Sequence, residues 1–270
     1  MISFAANSLL NRAALLDGGG DPAAFTLIRM ISGAAMLGLL VAGRGGARAI
    51  PAAGDPLSAA ALMLYAGAFS FAYLTLDAGL GALVLFGAVQ VTMFAGALRD
   101  GLRPPARRWI GAGAGLAGLA LLLLPGTTAA PAALGVGLMA LAGIGWGIYS
   151  LRGQRAGDPL LTTAGNFLWA SPLALILWLA AGLGGIDAAG ALLAMTSGAL
   201  ASGLGYALWY AALPRLDAAM AGIAQLSVPL IATAGGLLLL GEAPTLLFAA
   251  ASLLILGGIL FALIGPGARA

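Results

Sequence analysis

The sequence predicts an all-α integral membrane protein, with ten transmembrane helices forming two inverted five-helix repeats around a central cavity. Three observations predict it. Of the 270 residues 61% are hydrophobic and only 8% are charged, whereas a soluble fold of this size must cover itself with charge. Apolar segments of about 17 to 25 residues, enough to cross a hydrocarbon core of about 30 Å as helices, follow one another along the whole chain with short loops between them. Finally, Gly87-Ala88-Val89-Gln90-Val91-Thr92 returns 135 residues later as Gly222-Ile223-Ala224-Gln225-Leu226-Ser227, each copy inside an apolar stretch. One unit is written twice, and each unit reads as five spans. Because five is odd, the second copy must insert upside down relative to the first. The first repeat is expected over residues 1–127 and the second over 128–270.

Breaks in the apolar pattern place helices at about 1–16, 23–43, 57–77, 79–98, 109–125, 132–151, 160–181, 188–213, 218–240 and 244–265. The first is short, because Asp17 arrives after a stretch that already includes Asn7, Asn11 and Arg12, so this helix is expected to begin upstream of Met1 in a longer native chain. The second span opens at Asp21-Pro22 and the seventh at Asp158-Pro159. Proline suits a first helical turn, where its missing N–H has no intrahelical acceptor to lose. Asp77 marks the turn between the third and fourth spans, and Asp217 the turn between the eighth and ninth. The fifth span closes at Pro125-Gly126 and the tenth at Pro266-Gly267, so the landmarks share an offset of about 135 to 141 residues.

The 12 basic residues are all Arg, and they orient the chain. With alternating spans, Arg44, Arg48, Arg99, Arg103, Arg107, Arg108, Arg152, Arg155, Arg215 and Arg269 fall on one side, while Asp17, Asp21, Asp77, Asp187 and Glu242 fall on the other. The positive-inside rule then puts both termini in the cytoplasm, in a bacterial inner membrane. The turn from Arg99 to Arg108 carries four Arg, whereas its counterpart, Gly241-Glu242-Ala243-Pro244, carries none, as inversion requires. The pI near 9.8 reflects this topology and an attraction to anionic lipid headgroups; it argues for no nucleic-acid partner. The expected partners are a small-molecule solute and the lipid bilayer, with the chain acting as a monomer.

There is no Cys and no His, which removes disulfides, thiolate chemistry and the usual metal ligands and general base. No cofactor and no metal are expected. All 9 Asp and Glu sit at span ends or in loops, so no buried nucleophile with its base can be assembled, and an intramembrane enzyme is disfavoured. The same distribution disfavours coupling to protons through an embedded carboxylate. Inverted repeats favour a carrier over a channel.

Three stretches carry a family resemblance: Asp21-Pro22 through Phe25 to Arg29, the run from Tyr210 to Asp217-Ala218, and Gln225 through Gly241-Glu242-Ala243-Pro244 to Gly257-Gly258. In these the chain resembles the drug/metabolite transporter superfamily, in its EamA-type branch, over essentially its whole length. The aromatic-rich middle is similar to the YddG-type aromatic amino-acid exporters. The resemblance implies a ten-helix basket around a central cavity that exports small metabolites, such as aromatic or hydrophobic amino acids, by alternating access.

Polar groups at mid-span depth need a partner or a water-filled cavity. Asn7, Asn11, Gln90, Asn166 and Gln225 qualify, either as solute ligands or as interhelical hydrogen bonds, with Asn7, Gln90, Asn166 and Gln225 the candidates for the solute site. Tyr65, Phe69 and Tyr73 recur at every fourth residue on one helix face, and Tyr206, Trp209 and Tyr210 form a similar stripe. Trp146, Tyr149 and Trp169 add rings, whereas Trp109 and Trp178 are expected in the interfacial belts. Tyr65, Phe69, Trp146, Tyr149, Trp169 and Tyr206 are therefore expected to line the cavity. Arg29, two turns into its span, either reaches back to Asp17 or Asp21 or awaits a substrate carboxylate, and Arg12 is expected to reach the outer acids. Pro172 and Pro229 lie inside spans, with Pro229 the expected hinge beside the cavity.

Overall fold

Every long apolar stretch of the sequence folds as helix wherever the structure describes it. The structure, a computed structural model, describes residues 1–16, 20–99, 105–122, 133–154, 157–212 and 218–264. Its helices are α1 (Ile2–Leu15), α2 (Pro22–Ala42), a short α3 (Ile50–Ala53), α4 (Pro56–Ala72), α5 (Ala78–Arg99), α6 (Ala106–Leu122), α7 (Ala133–Gly153), α8 (Pro159–Ala180), α9 (Ala188–Thr196), α10 (Gly205–Ala212), α11 (Ala218–Leu240) and α12 (Leu246–Leu263). Six stretches are long and apolar enough to cross a membrane: α2, α5, α7, α8, the run Ala188–Trp209, and α12. The α1 helix, at 14 residues, is shorter than a bilayer-spanning helix. Asp17, Arg103, Arg155, Arg215, Asp217, Arg269, the closings at Pro125-Gly126 and Pro266-Gly267, the boundary at 127/128 and the Tyr210 side chain lie outside the described residues.

Aspartate followed by proline sets where three helices begin. Asp21 accepts from the Ala24 N–H at 2.8 Å, Asp55 from the Ser58 N–H at 2.8 Å, and Asp158 from the Leu161 N–H at 3.1 Å. Each cap satisfies one of the orphan donors of a first turn and contributes about 1 kcal/mol. Asp187 and Thr245 cap α9 and α12 in the same way. The acids gather at span ends partly because they are caps.

One expected helix is interrupted. The stretch read as a single span over 188–213 contains a π-helical segment at Ser197–Leu204 between α9 and α10. A glycine and serine run, Ser197-Gly198 and Ser202-Gly203, has little side-chain bulk to resist the wider turn, and such segments cluster at functional sites. Gly198 also lets the segment approach α2, since a Cβ there would collide with the Ser32 hydroxyl and the Arg29 carbonyl.

The helices pack as adjacent pairs: α2 against α8 and the π segment, α4 against α7, α5 against α7 and α11, and α6 against α12. Glycines allow the closest of these approaches. A Cβ on Gly258 would lie 2.8 Å from the Gly111 carbonyl oxygen, and one on Gly111 would meet the Gly258 carbonyl. Of the two small-residue motifs in the sequence, Gly143 and Gly147 both face α5, whereas a Cβ on Gly111 would meet α12 and one on Gly115 would point into open space. The core is aromatic at its centre and aliphatic around it, and large side chains such as Leu238, Leu239, Leu246 and Leu253 face outward, as suits lipid.

The bundle has two chemically distinct ends. The ends of α1, α4 and α11 and the start of α5 bring Arg12, Asp77 and Glu242 together at an acid-rich end. The starts of α4 and α8 and the ends of α5 and α7 bring Asp55, Asp158, Arg99 and Arg152 to an arginine-rich end.

Candidate functional site

Six aromatic side chains from four helices converge in the bundle. Trp146 of α7 lies at their centre, with ring centroids 5.0 Å from Tyr65 of α4, 5.0 Å from Tyr206 of α10, 5.6 Å from Tyr149 and 6.0 Å from Phe4 of α1. Phe69 stacks at 5.4 Å on Tyr65, and Phe4 also meets Tyr206 and Trp209. Edge and tilted contacts of this kind add about 0.5 to 1.5 kcal/mol per pair beyond burial, so the cluster is a cohesive object rather than loose lining.

Arg29 is inserted beside these rings. It is fully buried, at 0% exposure, and is the only charged side chain in the fully buried set of the described residues. Its Nη2 donates to the Tyr65 hydroxyl at 2.8 Å and its Nε to the Ser202 hydroxyl at 3.2 Å, while the guanidinium lies 5.1 Å from the Tyr65 ring centroid and 5.2 Å from that of Phe69. Nη1 has no hydrogen-bond partner, and no carboxylate comes within ion-pair distance of Arg29 among the described residues. The reach toward Asp21 is not made, because Asp21 faces its own helix as a cap. On the other side of Ser202, the Asn7 Oδ1 accepts from the Ser197 hydroxyl at 2.7 Å and the Ser202 hydroxyl at 3.3 Å. The π segment thus ties α1 to α2 through the site.

Two boundaries flank this centre. Toward the acid-rich end lies a polar layer in which Asn11 Nδ2 donates to the Ser70 hydroxyl at 2.9 Å and Thr26 meets the same hydroxyl at 2.9 Å. Beyond it, Arg12 Nε donates to Glu242 at 2.8 Å and Nη1 to the Tyr73 carbonyl at 2.9 Å, with Asp77 at 3.8 Å. Glu242 also accepts from the Ala78 N–H at 2.7 Å, so a single carboxylate clasps α1, α5 and the α11–α12 turn. A recess of about 50 Å³ lies beside this clasp. At the arginine-rich end a cavity of about 820 Å³ opens among Ser58, Thr92, Ile148, Leu151, Arg152 and Thr162. Arg152 bridges its rim to Asp55 at 2.7 Å, and the Ser58 hydroxyl, with Arg152 as a further partner, holds the Asp55 carboxyl below its ordinary pKa against an opposing burial effect.

The structure brings Asn7, Tyr65, Phe69, Trp146, Tyr149 and Tyr206 together, reaches Asn166 through Tyr149, and places Gln90 and Trp169 elsewhere. Gln90 lines a separate cavity of about 170 Å³ between α5, α6 and α12, with Arg108 and Gly111. Gln225 is half-buried on α11. Asn166 is buried; its Oδ1 accepts from the Asp55 N–H at 2.9 Å and its side chain also hydrogen-bonds Tyr149, so it links the arginine-rich end to the aromatic centre. Trp169 is 45% exposed and its indole donates to the Pro51 carbonyl at 3.0 Å, tying α8 to α3. Pro229 lies within a continuous α11, where the Thr233 hydroxyl donates to its carbonyl at 2.8 Å. Trp109 is 55% exposed, as a belt residue would be. Phe4, Ser197 and Ser202 escape a reading of the sequence. Phe4 carries a usable signal, one turn before Asn7 on the same face, whereas the serines do not, because the π turn that aims them is not visible in an apolar run.

Residues 133–264 match the EamA-like transporter family. An uncharacterized protein of Pseudomonas aeruginosa is 51% identical over 260 residues, covering 96% of this chain and 90% of that one. A protein of known crystal structure, 21% identical, superposes with a TM-score of 0.67 over 97% of this chain and 95% of its own, a likeness of fold alone. With its apolar membrane-length helices, the chain is a multi-pass membrane protein, and it belongs to the EamA-like transporter family, whose membership points to a carrier of small solutes rather than an enzyme.

Proposed function

We propose that this protein exports small metabolites, amino acids with aromatic or hydrophobic side chains foremost, by alternating access through the aromatic centre of the bundle. The observation that carries the reading is the aromatic box itself, in which Tyr65, Phe69, Trp146, Tyr149 and Tyr206 surround a buried polar group. Rings bind a flat apolar body by burial and stacking, and a few convergent polar groups orient its polar end. This is also the reading suggested by the likeness to aromatic amino-acid exporters.

The proposal includes ten spans in two inverted five-helix repeats, and the packing supports it. Let α1, α2, α4, α5 and α6 exchange places with α7, α8, the α9–α10 run, α11 and α12. The pair α4–α7 then becomes the α9–π pair with α1, α5–α7 becomes α11–α1, and α2–π becomes α8–α4; all of these pairs are in contact. The pairs α2–α8, α5–α11 and α6–α12 map onto themselves, as helices beside a two-fold axis must. The arginine-rich end is then cytoplasmic, with both termini there, in a bacterial inner membrane. The cavity of about 820 Å³ is the cytoplasmic vestibule and the Arg12–Glu242 clasp is the closed outer gate. Among the described residues no carboxylate lies in the buried core, so exchange or facilitated diffusion is favoured over proton coupling.

Counterflow in proteoliposomes tests the reading directly. Vesicles preloaded with phenylalanine or tryptophan are expected to accumulate the labelled amino acid, with saturation and mutual competition. If quaternary amines, sugars or apolar drugs exchange and aromatic amino acids neither exchange nor compete, the substrate assignment fails. Flux that stays linear to high concentration would identify a channel instead.

A further inference from the structure

We infer that Arg29 is the anchor for a carboxylate on the transported solute, and that an amino group on that solute is dispensable. The inference rests on the transporter reading above and specifies its substrate class. A guanidinium keeps its charge at every physiological pH, so burial cannot neutralise it as it would a lysine. Arg29 is fully buried, with two of its nitrogens on neutral hydroxyls, two aromatic faces beside it, and Nη1 left without a partner. None of these supplies negative charge. A buried cation with no counter-charge among the described residues is an unstable arrangement that an incoming anion relieves.

The shape of the guanidinium edge selects the anion. A guanidinium edge presents parallel donors that match the two oxygens of a carboxylate, and the adjoining rings of Tyr65, Phe69 and Trp146 favour a flat apolar body attached to it. A small inorganic anion would supply charge but make no use of the rings. A positive group on the solute finds no buried carboxylate among the described residues; the unpartnered buried acceptor, Asn11 Oδ1, is a neutral amide oxygen and offers no counter-charge. The Asn7 Oδ1 already accepts from Ser197 and Ser202. An ammonium group therefore adds little to recognition, and aromatic carboxylates without one are accepted alongside amino acids.

Access comes from the arginine-rich end. The cavity lining includes Ser58 on α4, seven residues or about 10 Å before Tyr65, and Ile148 on α7, flanked in sequence by Gly147 and Tyr149.

Isothermal titration calorimetry on the purified full-length protein in lipid nanodiscs tests this with four probes: 3-phenylpropanoate, phenylalanine, 3-phenylpropanamide and sodium chloride. The propanoate is expected to bind wild-type protein within about threefold of phenylalanine, and the isosteric amide at least about tenfold more weakly. In Arg29→Gln the difference between acid and amide is expected to vanish while amide binding persists. Equal binding of the three aromatic solutes to the wild type overturns the Arg29 assignment and leaves the aromatic reading standing. Phenylalanine binding more than about tenfold tighter than the propanoate overturns the dispensable amine. Chloride displacing the propanoate at equal concentration shows that an inorganic ion is the natural counterion, which also overturns the assignment. Binding of none of the aromatic probes overturns the aromatic reading of the site and this inference with it. Should Arg29→Gln fail to fold, the acid and amide pair on wild-type protein decides alone.

Discussion

Arg12 and Arg29 approach the membrane interior from the same end of the bundle, and they meet opposite surroundings. Arg12 is held by Glu242 at 2.8 Å, by the Tyr73 carbonyl and by Asp77, so its charge is matched within the protein. Among the described residues Arg29 meets only neutral hydroxyls and ring faces, and one of its nitrogens has no partner there. The residue type is the same and the difference lies in what the fold brings to it. A matched charge serves architecture, and an unmatched one marks a place where something outside the protein completes the set.

The comparison can be broken most forcefully at the clasp. Glu242→Met leaves Arg12 without its main counter-charge and removes the acceptor for the Ala78 N–H, so a loss of about 3 kcal/mol is expected in reversible denaturation in mixed micelles. The double variant Arg12→Met with Glu242→Met should recover much of that loss, since an apolar pair of similar volume replaces the ion pair. If the double variant is no better than the single one, the clasp is not a matched pair.

Next in size is Gly198→Val. The β-branched side chain must displace the Ser32 hydroxyl or the Arg29 carbonyl, and overpacking at such a helix contact costs about 2 kcal/mol, read from the same denaturation curves. Retained stability would mean that the π segment does not need its close approach to α2.

Arg29→Met sharpens the contrast, because removing an unmatched charge exposes no other charge to loss. Its effect on stability is expected to be neutral or slightly favourable, within about 1 kcal/mol, while transport of carboxylate solutes is lost in the counterflow assay. Destabilisation equal to that of Glu242→Met would make Arg29 a structural residue like Arg12.

The smallest effect belongs to the exposed pair at the vestibule rim. The Asp55 carboxyl is held below its ordinary pKa by Ser58 and Arg152, so the folded state favours the carboxylate. Its contribution is complete above the ordinary carboxylate pKa and is lost as pH falls through the lowered folded value. Both side chains are 39% exposed, and solvent screening keeps the pair below about 1 kcal/mol. Asp55→Asn, which preserves the helix cap, should be less stable than wild type near neutral pH, and the two should converge in acid; a constant difference would show that charge is not involved.

Much of the fold was legible residue by residue. Asp21-Pro22 and Asp158-Pro159 announced helix starts, and both are caps in the structure. The aromatic stripe of Tyr65, Phe69 and Tyr73 announced a buried face, and all three are buried. The repeated glutamine segment was less informative about the site, because Gln90 faces α6 and α12 while the aromatic centre is built from α1, α4, α7 and α10. A repeat reveals which helices correspond, and it is silent on which face of each turns inward. Trp169 shows the same limit, as a ring at apparent mid-span depth that the packing of α8 on α3 turns to the surface.

By itself the sequence determined the helices, their ends and the all-α membrane class, because helix formation and partition into lipid depend on local composition and add up along the chain. Only the tertiary structure decided which arginine has a partner, where the π segment aims Ser202, and that the rings of α1, α4, α7 and α10 share one centre. Those outcomes depend on contacts between residues as far apart as Arg12 and Glu242 or Arg29 and Ser202. Close packing at glycines such as Gly111, Gly198 and Gly258 sets those contacts, and it is a property of facing surfaces that no single helix carries in its own sequence.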